Sequence, residues 1–369
     1  MSVLKGLERL WRRGVTRAIA GIMGQSARGE RPDWSARPYR VLFLRHDRIG
    51  DMILSTGVLR AIAQSHPTIR LEVLASFANA PILRHEPYVQ DIIAFDRHAP
   101  SRYPSVFREL RGRRYDAVID CMVTAPSLTT LLLMLASGAR YRIGVATRGN
   151  DFAYTLPVAP REDARHITDK LSALLSAFGL EPSRLDLRPR VTLTPAESER
   201  GERAWCADTN GREDRRLLVN ISAGTAERAW PDERWISVIK AVRERAPSTH
   251  VMVMGSPTDR KRAGVIAERS GARLVKDGGI RDALSIVASA DVVLTADTSI
   301  AHACSAFEKP AVVLYAYGKT AEWGLYETEG RAVESRTSTL SGITAEEAAD
   351  ALLARLAALS ARPGAPRPR

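Results

Sequence analysis

The sequence predicts an α/β protein built from two doubly wound parallel sheets. Three observations lead there. Short apolar runs rich in Val, Ile and Leu alternate with longer amphipathic stretches from residue 41 to residue 359, which is the pattern of strand and crossover helix. Pro182, Pro189 and Pro195 interrupt that alternation near its middle, so it falls into two series of similar size. The 369 residues suffice for two large domains, which argues against one small module.

The first series opens with a strand at 41–45, followed by a helix at 51–65 that stops before Pro67. Further strands are expected at 71–74, 91–95, 117–120 and 141–145, with helices at 104–111 and 127–136 between them and a helix at 166–178 at the end. The second series runs through strands at 217–221, 250–254, 273–275, 292–295 and 311–315 and helices at 232–245, 258–270, 281–289 and 299–307. A last helix at 343–359 opens with Thr344 ahead of Glu346 and Glu347, in capping-box-like fashion. The resulting organisation is a basic extension (1–37), an N-terminal Rossmann-like half (38–180), a C-terminal Rossmann-like half (181–345), and a C-terminal helix with a Pro/Arg-rich tail (346–369), disordered from Arg362. Ligands of open parallel sheets sit beyond the carboxyl ends of the strands. Two such halves joined by a short connection therefore predict a central cleft that both of them line.

Hydrophobic residues make up 45% and charged residues 26% of the chain, which excludes collagen, coiled-coil and wholly disordered classes. Lys+Arg number 54 against 42 Asp+Glu, a net charge of +12, so the expected partners are anions. Residues 1–28 carry six of those cations against Glu8 alone. There Leu4, Leu7, Trp11, Val15, Ala18 and Ile22 recur at helical spacing with arginines beside them. That stripe suits the surface of an anionic bilayer, packing on the protein's own body, or a disordered arm. The 18–27 stretch is a poor signal peptide and no apolar run approaches a membrane span. Cys121, Cys206 and Cys304 are odd in number and far apart, so neither a disulfide framework nor a metal site of paired cysteines is expected, and a reducing cytoplasm is the natural compartment.

Three segments carry candidate chemistry, each directly after a strand. Arg45-His46-Asp47-Arg48-Ile49-Gly50-Asp51 has Gly50 for a tight turn and Asp51 at a helix start, where the dipole keeps a carboxylate ionised; Asp51 equally suits a simple helix cap. In residues 220–235, Ser222, Gly224 and Thr225 form a small hydroxyl-bearing loop able to hold phosphate oxygens, and Arg228 adds a planar cationic fork. Trp230 and Trp235 read as core. In the third segment Asp297 or Thr298 caps a helix, which leaves amides near Thr298 and Ser299 for a diphosphate. His302 lies one turn further on, as a site residue or a bonded core histidine. Equally telling, no two aspartates are separated by a single residue, and the G-x-x-x-x-G-K-[ST], G-x-G-x-x-G and G-x-S-x-G patterns are missing at the places where they would act. No nucleic-acid motif occurs and aromatic content is only 6%, so specific nucleic-acid binding is not expected.

Taken together, a strand followed by R-x(4)-G-D, a G-x(3)-R-x-W-P loop, and D-T-x(3)-H leading to K-P-A-V-V-L-Y resemble the heptosyltransferases of lipopolysaccharide core synthesis, glycosyltransferase family 9. The likeness spans about residues 39–358. It implies a GT-B enzyme with an acceptor-binding N-terminal half and a donor-binding C-terminal half, inverting, with no metal and no cofactor beyond the nucleotide sugar, ADP-heptose. The implied acceptor is a lipid-linked saccharide met at the cytoplasmic face of the inner membrane.

Carried over by position, Asp51 matches the catalytic aspartate, with Arg45 and Gly50 on the acceptor-side loop. Arg228 stands where a lysine usually contacts donor phosphate, Asp297, Thr298 and His302 match the donor motif, and Asp259 takes the place of an acidic nucleoside contact. Arg228 and Ser299 depart from the usual lysine and glycine, which bears on donor choice. The alternatives are a GT-B transferase using another nucleotide sugar or a protein acceptor, and a non-catalytic nucleotide-binding protein.

Overall fold

A computed structural model describes residues 29–123, 127–147, 150–205, 215–225, 228–276 and 278–360, together with Ile19, Gly21 and Met23. The chain divides into two compact units, Met1–Leu187 and Arg188–Arg369.

In the first unit, strand β1 (Tyr39–Arg45) leads into helix α1 (Ile49–Ser65), then β2 (Ile69–Ser76), β3 (Asp91–Phe95), α2 (Tyr103–Arg113), β4 (Ala117–Asp120), α3 (Leu128–Ser137), β5 (Tyr141–Val145) and β6 (Leu156–Val158). Helix α4 (Ile167–Ser172) continues as a 3-10 helix over Ala173–Phe178, where one longer helix is expected from the sequence. All six strands are parallel, in the order β3-β2-β1-β4-β5-β6. Leu42, Leu44, Leu74 and Val118 form the sheet's part of a core that Leu110, Leu131 and Leu133 complete from the helices. Helix α1 lies so close to the unit's last residue that a Cβ on Gly57 would stand 2.1 Å from the Leu187 carbonyl oxygen. Only glycine permits that approach, and the helix is buried along most of its length.

The second unit opens with α5 (Pro195–Trp205), a helix the sequence reading does not contain, and proceeds through β7 (Arg215–Asn220), α6 (Asp232–Arg245), β8 (Thr249–Met254), α7 (Arg260–Ser270), β9 (Arg273–Leu274), α8 (Ile280–Ser289), β10 (Val292–Ala296), α9 (Ser299–Ala306), β11 (Ala311–Tyr315), a single turn α10 (Thr320–Trp323), β12 (Gly330–Glu334) and α11 (Ala345–Ser360). Its sheet is also parallel, ordered β12-β11-β10-β7-β8-β9. Trp230 and Trp235 are core residues, as expected, with ring centroids 4.8 Å apart and edge to face. A buried ion pair joins α5 to α8, with Arg281 Nη2 2.6 Å from Glu197 Oε2.

Counted from its own first strand, each sheet has the order 3-2-1-4-5-6. The order reverses between β1 and β4 in one unit and between β7 and β10 in the other. A crevice opens at such a reversal, outside the carboxyl ends of the two strands.

Most of the basic extension, the tail from Arg362 and Cys206 lie outside the described residues. Ile19 and Met23, one helical turn apart, are buried in the first unit's core, and the Met23 carbonyl accepts a bond of 3.0 Å from Arg142. The stripe of Leu4, Leu7, Trp11, Val15, Ala18 and Ile22 lies wholly outside the described residues. Among the described residues no helix is long and apolar enough to cross a membrane.

Candidate active site

The candidate residues gather at the two reversal points. In the first unit Arg45 is the last residue of β1, and Asp51 is the third residue of α1. The turn between them is made by extended backbone at Arg48 (φ −96°, ψ 158°). Gly50 does not make it, contrary to expectation: it is the buried second residue of the helix and is not among the described glycines with positive φ.

Arg45 is the electrostatic centre of this loop. Its side chain is 4% exposed; Nε donates to Ser55 Oγ at 2.8 Å, and Nη1 to Asp47 Oδ2 at 3.2 Å. Burial works against the guanidinium charge, but the fields of Cys121, Asp47, Asp51 and Asp120 outweigh it and raise the pKa. Ser55 Oγ passes the connection on by donating to the Asp51 backbone carbonyl at 2.7 Å. The Asp51 carboxyl is itself raised above the usual carboxylate value. Burial and Asp47 push it up, while Arg45, Arg48 and a bond from the Arg48 backbone pull it down. Burial is the largest of these effects.

On the neighbouring strand, Asp120 is fully buried and pushed up to about 6 by that burial. Tyr154 Oη donates to it at 2.8 Å, and the Met122 N–H at 3.0 Å. Asn79, unremarked in the sequence, fixes the Arg45–Arg48 turn by donating to the carbonyls of both residues, at 3.0 and 3.4 Å. The two carbonyls it holds lie more than thirty positions away, so the local sequence does not mark it out for that part.

In the second unit the β7 and β10 loops meet. Arg228 Nη1 lies 3.1 Å from Asp297 Oδ2, so this arginine is held by a carboxylate and is no isolated cation. Thr298 caps α9, its hydroxyl accepting from the Ile300 N–H at 3.3 Å. Asn220, another residue the sequence reading misses, donates to both Thr295 Oγ1 (2.9 Å) and Thr298 Oγ1 (3.2 Å) and so locks the two strand ends together. Ser299 is the first residue of α9.

His302 is only 5% exposed and stands against Trp323, with ring centroids 6.3 Å apart. Ser222 Oγ accepts from the Ser256 N–H at 2.6 Å, and Ser256 Oγ donates to Asp259 Oδ2 at 2.6 Å, a chain that joins the β7 and β8 loops. Gly224 and Thr225 are exposed. At the ends of β8 and β9 a cavity of about 50 Å³ is lined by Met254, Leu274 and Ile286 and by the cations Arg260 and Lys276. Among the described residues no group of three or more His, Cys, Asp or Glu side chains is placed to hold a metal ion.

Comparison with known proteins fits this distribution. Lipopolysaccharide heptosyltransferase 1 of Escherichia coli K12 is 22% identical over 298 residues, 75% of this chain and 87% of that protein. Lipopolysaccharide heptosyltransferase 3 of the same strain is 22% identical over 209 residues, covering 53% of this chain, and the match spans 58% of that protein's length. Among solved structures, a family 9 glycosyltransferase from Veillonella parvula superposes with a TM-score of 0.76 at 17% identity, over 88% of this chain and 99% of that one. Escherichia coli ADP-heptose lipopolysaccharide heptosyltransferase II gives 0.69 at 19% identity, over 87% and 99%. The family model matches residues 104–350, a span that includes the whole of the second unit's site and leaves the Asp51 loop outside it. With two thirds of its length matched in this way, the chain is a glycosyltransferase and belongs to glycosyltransferase family 9, the heptosyltransferases.

Proposed function

We propose that this enzyme transfers heptose from ADP-heptose to a lipopolysaccharide core acceptor attached to lipid A, by a single inverting displacement without a metal ion. One observation carries the reading: the two reversal points hold complementary chemistry. The first bears a half-buried carboxylate beside a buried arginine. The second bears an arginine, a capped helix start and small hydroxyl residues.

Asp51 accepts the proton of the acceptor hydroxyl as that oxygen bonds to the anomeric carbon. The hydroxyl becomes acidic only as the bond forms, so a carboxylate is a sufficient base when well placed, and one raised above its usual value is a better base once ionised. The nucleoside diphosphate leaves with growing negative charge. Arg228, the N–H groups at the start of α9 and the Ser222 and Thr225 hydroxyls stabilise it. Asp297 keeps Arg228 in place, and Asp259 serves the nucleoside. Transfer requires the acceptor hydroxyl to meet the donor with water excluded, which limits wasteful hydrolysis. The acceptor places this chemistry in the cytoplasm, at the inner face of the membrane.

A thermal-shift panel of nucleotide sugars, followed by transfer assays on heptose-free core saccharide, tests the reading. ADP-heptose should raise the melting temperature most and yield a heptosylated product. Stabilisation by a uridine or guanosine sugar with no effect of ADP-heptose would contradict the donor assignment.

A further inference from the structure

The Asp51 loop is tied to a second element that carries an exposed aromatic ring. Ser76, the last residue of β2, and Asn79 bracket a four-residue turn with Phe77 and Ala78 at its crown. The Ser76 N–H donates to Asn79 Oδ1 at 2.8 Å, and the Asn79 N–H returns a bond to the Ser76 carbonyl at 3.2 Å. The same Asn79 side chain, fully buried, holds the Arg45 and Arg48 carbonyls, and Ser76 Oγ reaches the Asp47 carbonyl at 3.4 Å. Turn and loop are therefore one hydrogen-bonded body. Phe77 stands on it 59% exposed, and among the described residues it is the one large hydrophobic side chain so exposed in its unit. A lone exposed apolar residue is ordinary. A rigidly mounted one, two bonds away from the loop that carries the base, is not.

We propose that Phe77 is the platform on which the acceptor saccharide stacks, with Asn79 as the residue that fixes its position relative to Asp51. This rests on the glycosyl-transfer reading above. A sugar ring has an apolar face of C–H groups, and an aromatic face carries the complementary partial negative charge. Stacking sets the plane of the sugar while leaving its hydroxyls free, and a base acts efficiently only on a hydroxyl held in a narrow range of orientations. The ring therefore contributes acceptor affinity and regiochemistry, and the donor does not sense it.

The test measures initial rates with ADP-heptose and deacylated, heptose-free core saccharide for the wild type, Phe77→Ala and Phe77→Trp. Because Phe77 is exposed, its removal opens no cavity and leaves the fold intact. Phe77→Ala should raise the acceptor KM about three- to tenfold with the donor KM unchanged, and Phe77→Trp should restore it. An unchanged acceptor KM in Phe77→Ala, or an equal rise in the donor KM, overturns the platform while leaving the transfer reading in place. A wild-type enzyme that heptosylates no core saccharide overturns the transfer reading, and the platform with it.

Discussion

The two units share one strand order but arm their reversal points differently. In the first, ionisable side chains are sunk beside one another: Arg45 and Asp120 are buried and Asp51 is half-buried, with the guanidinium set among carboxylates. In the second the working groups are hydroxyls, a helix start and one paired arginine. On the proposed reading, the contrast follows from what each job requires. Moving a proton needs a group whose affinity for protons is tuned, and burial near charge is how that is done. Holding an anion needs fixed donors and no titration, which amides, hydroxyls and guanidinium supply.

The largest effect expected from breaking this contrast is at Asp51. Asp51→Asn keeps the size of the side chain and removes the base, so kcat should fall on the order of a hundredfold or more while ADP binding stays near the wild-type value. Calorimetric titration and single-turnover rates on the same sample check both halves of that statement. In the wild type, kcat should rise with pH through an apparent pKa above the ordinary carboxylate value, because the Asp51 carboxyl is raised and only its ionised form accepts a proton. Arg228→Ala should act on the other unit's property, weakening ADP affinity by about tenfold. It also removes an ion-pair partner of Asp297, which is 4% exposed, so Arg228→Lys is the informative companion and should recover part of the affinity. Equal ADP affinities in all three proteins would remove Arg228 from the donor site.

Smaller effects sharpen the comparison. Thr298→Ala removes the cap of α9 and should lower stability by about 1 kcal/mol, with a few-fold loss of ADP affinity; a loss of stability alone would confine Thr298 to a structural part. Asp120 provides a pH signature for the first unit. Its folded pKa of about 6 lies above that of an unfolded aspartate, so between roughly pH 4 and 6 the folded chain binds more protons and stability falls as pH rises. Asp120→Asn should flatten that slope in thermal unfolding curves. An unaltered slope would mean that another group produces it.

How much of this was legible in the sequence depends on where the information lies. The wholly buried strands β10 and β11 are apolar but for Thr295, and the sequence places both to within a residue. Strand β12 is exposed except at Val333 and β6 contains Pro157, so neither has a strand's usual composition and both are missed. Helix α5, written Pro-Ala-Glu-Ser-Glu-Arg-Gly-Glu-Arg-Ala-Trp, looks like a polar connection because its anchors are tertiary: the Glu197–Arg281 pair and the Trp205 bond to Ser289 Oγ at 3.0 Å. The same holds within the sites. Asp51, Arg228 and Thr298 stand in local motifs and are read directly. Asn79 and Asn220 act on residues distant in the chain, and the cavity beside β8 and β9 is made by three separate segments. Only folding brings those groups together.

The central claim is that a single carboxylate on the first unit drives one displacement at a sugar held by the second. The most direct measurement is the anomeric configuration of the new glycosidic bond, read by NMR on product made from a donor of known anomeric configuration. A single displacement predicts inversion. Retention would require a second nucleophile or departure and attack on the same face, and would contradict the account.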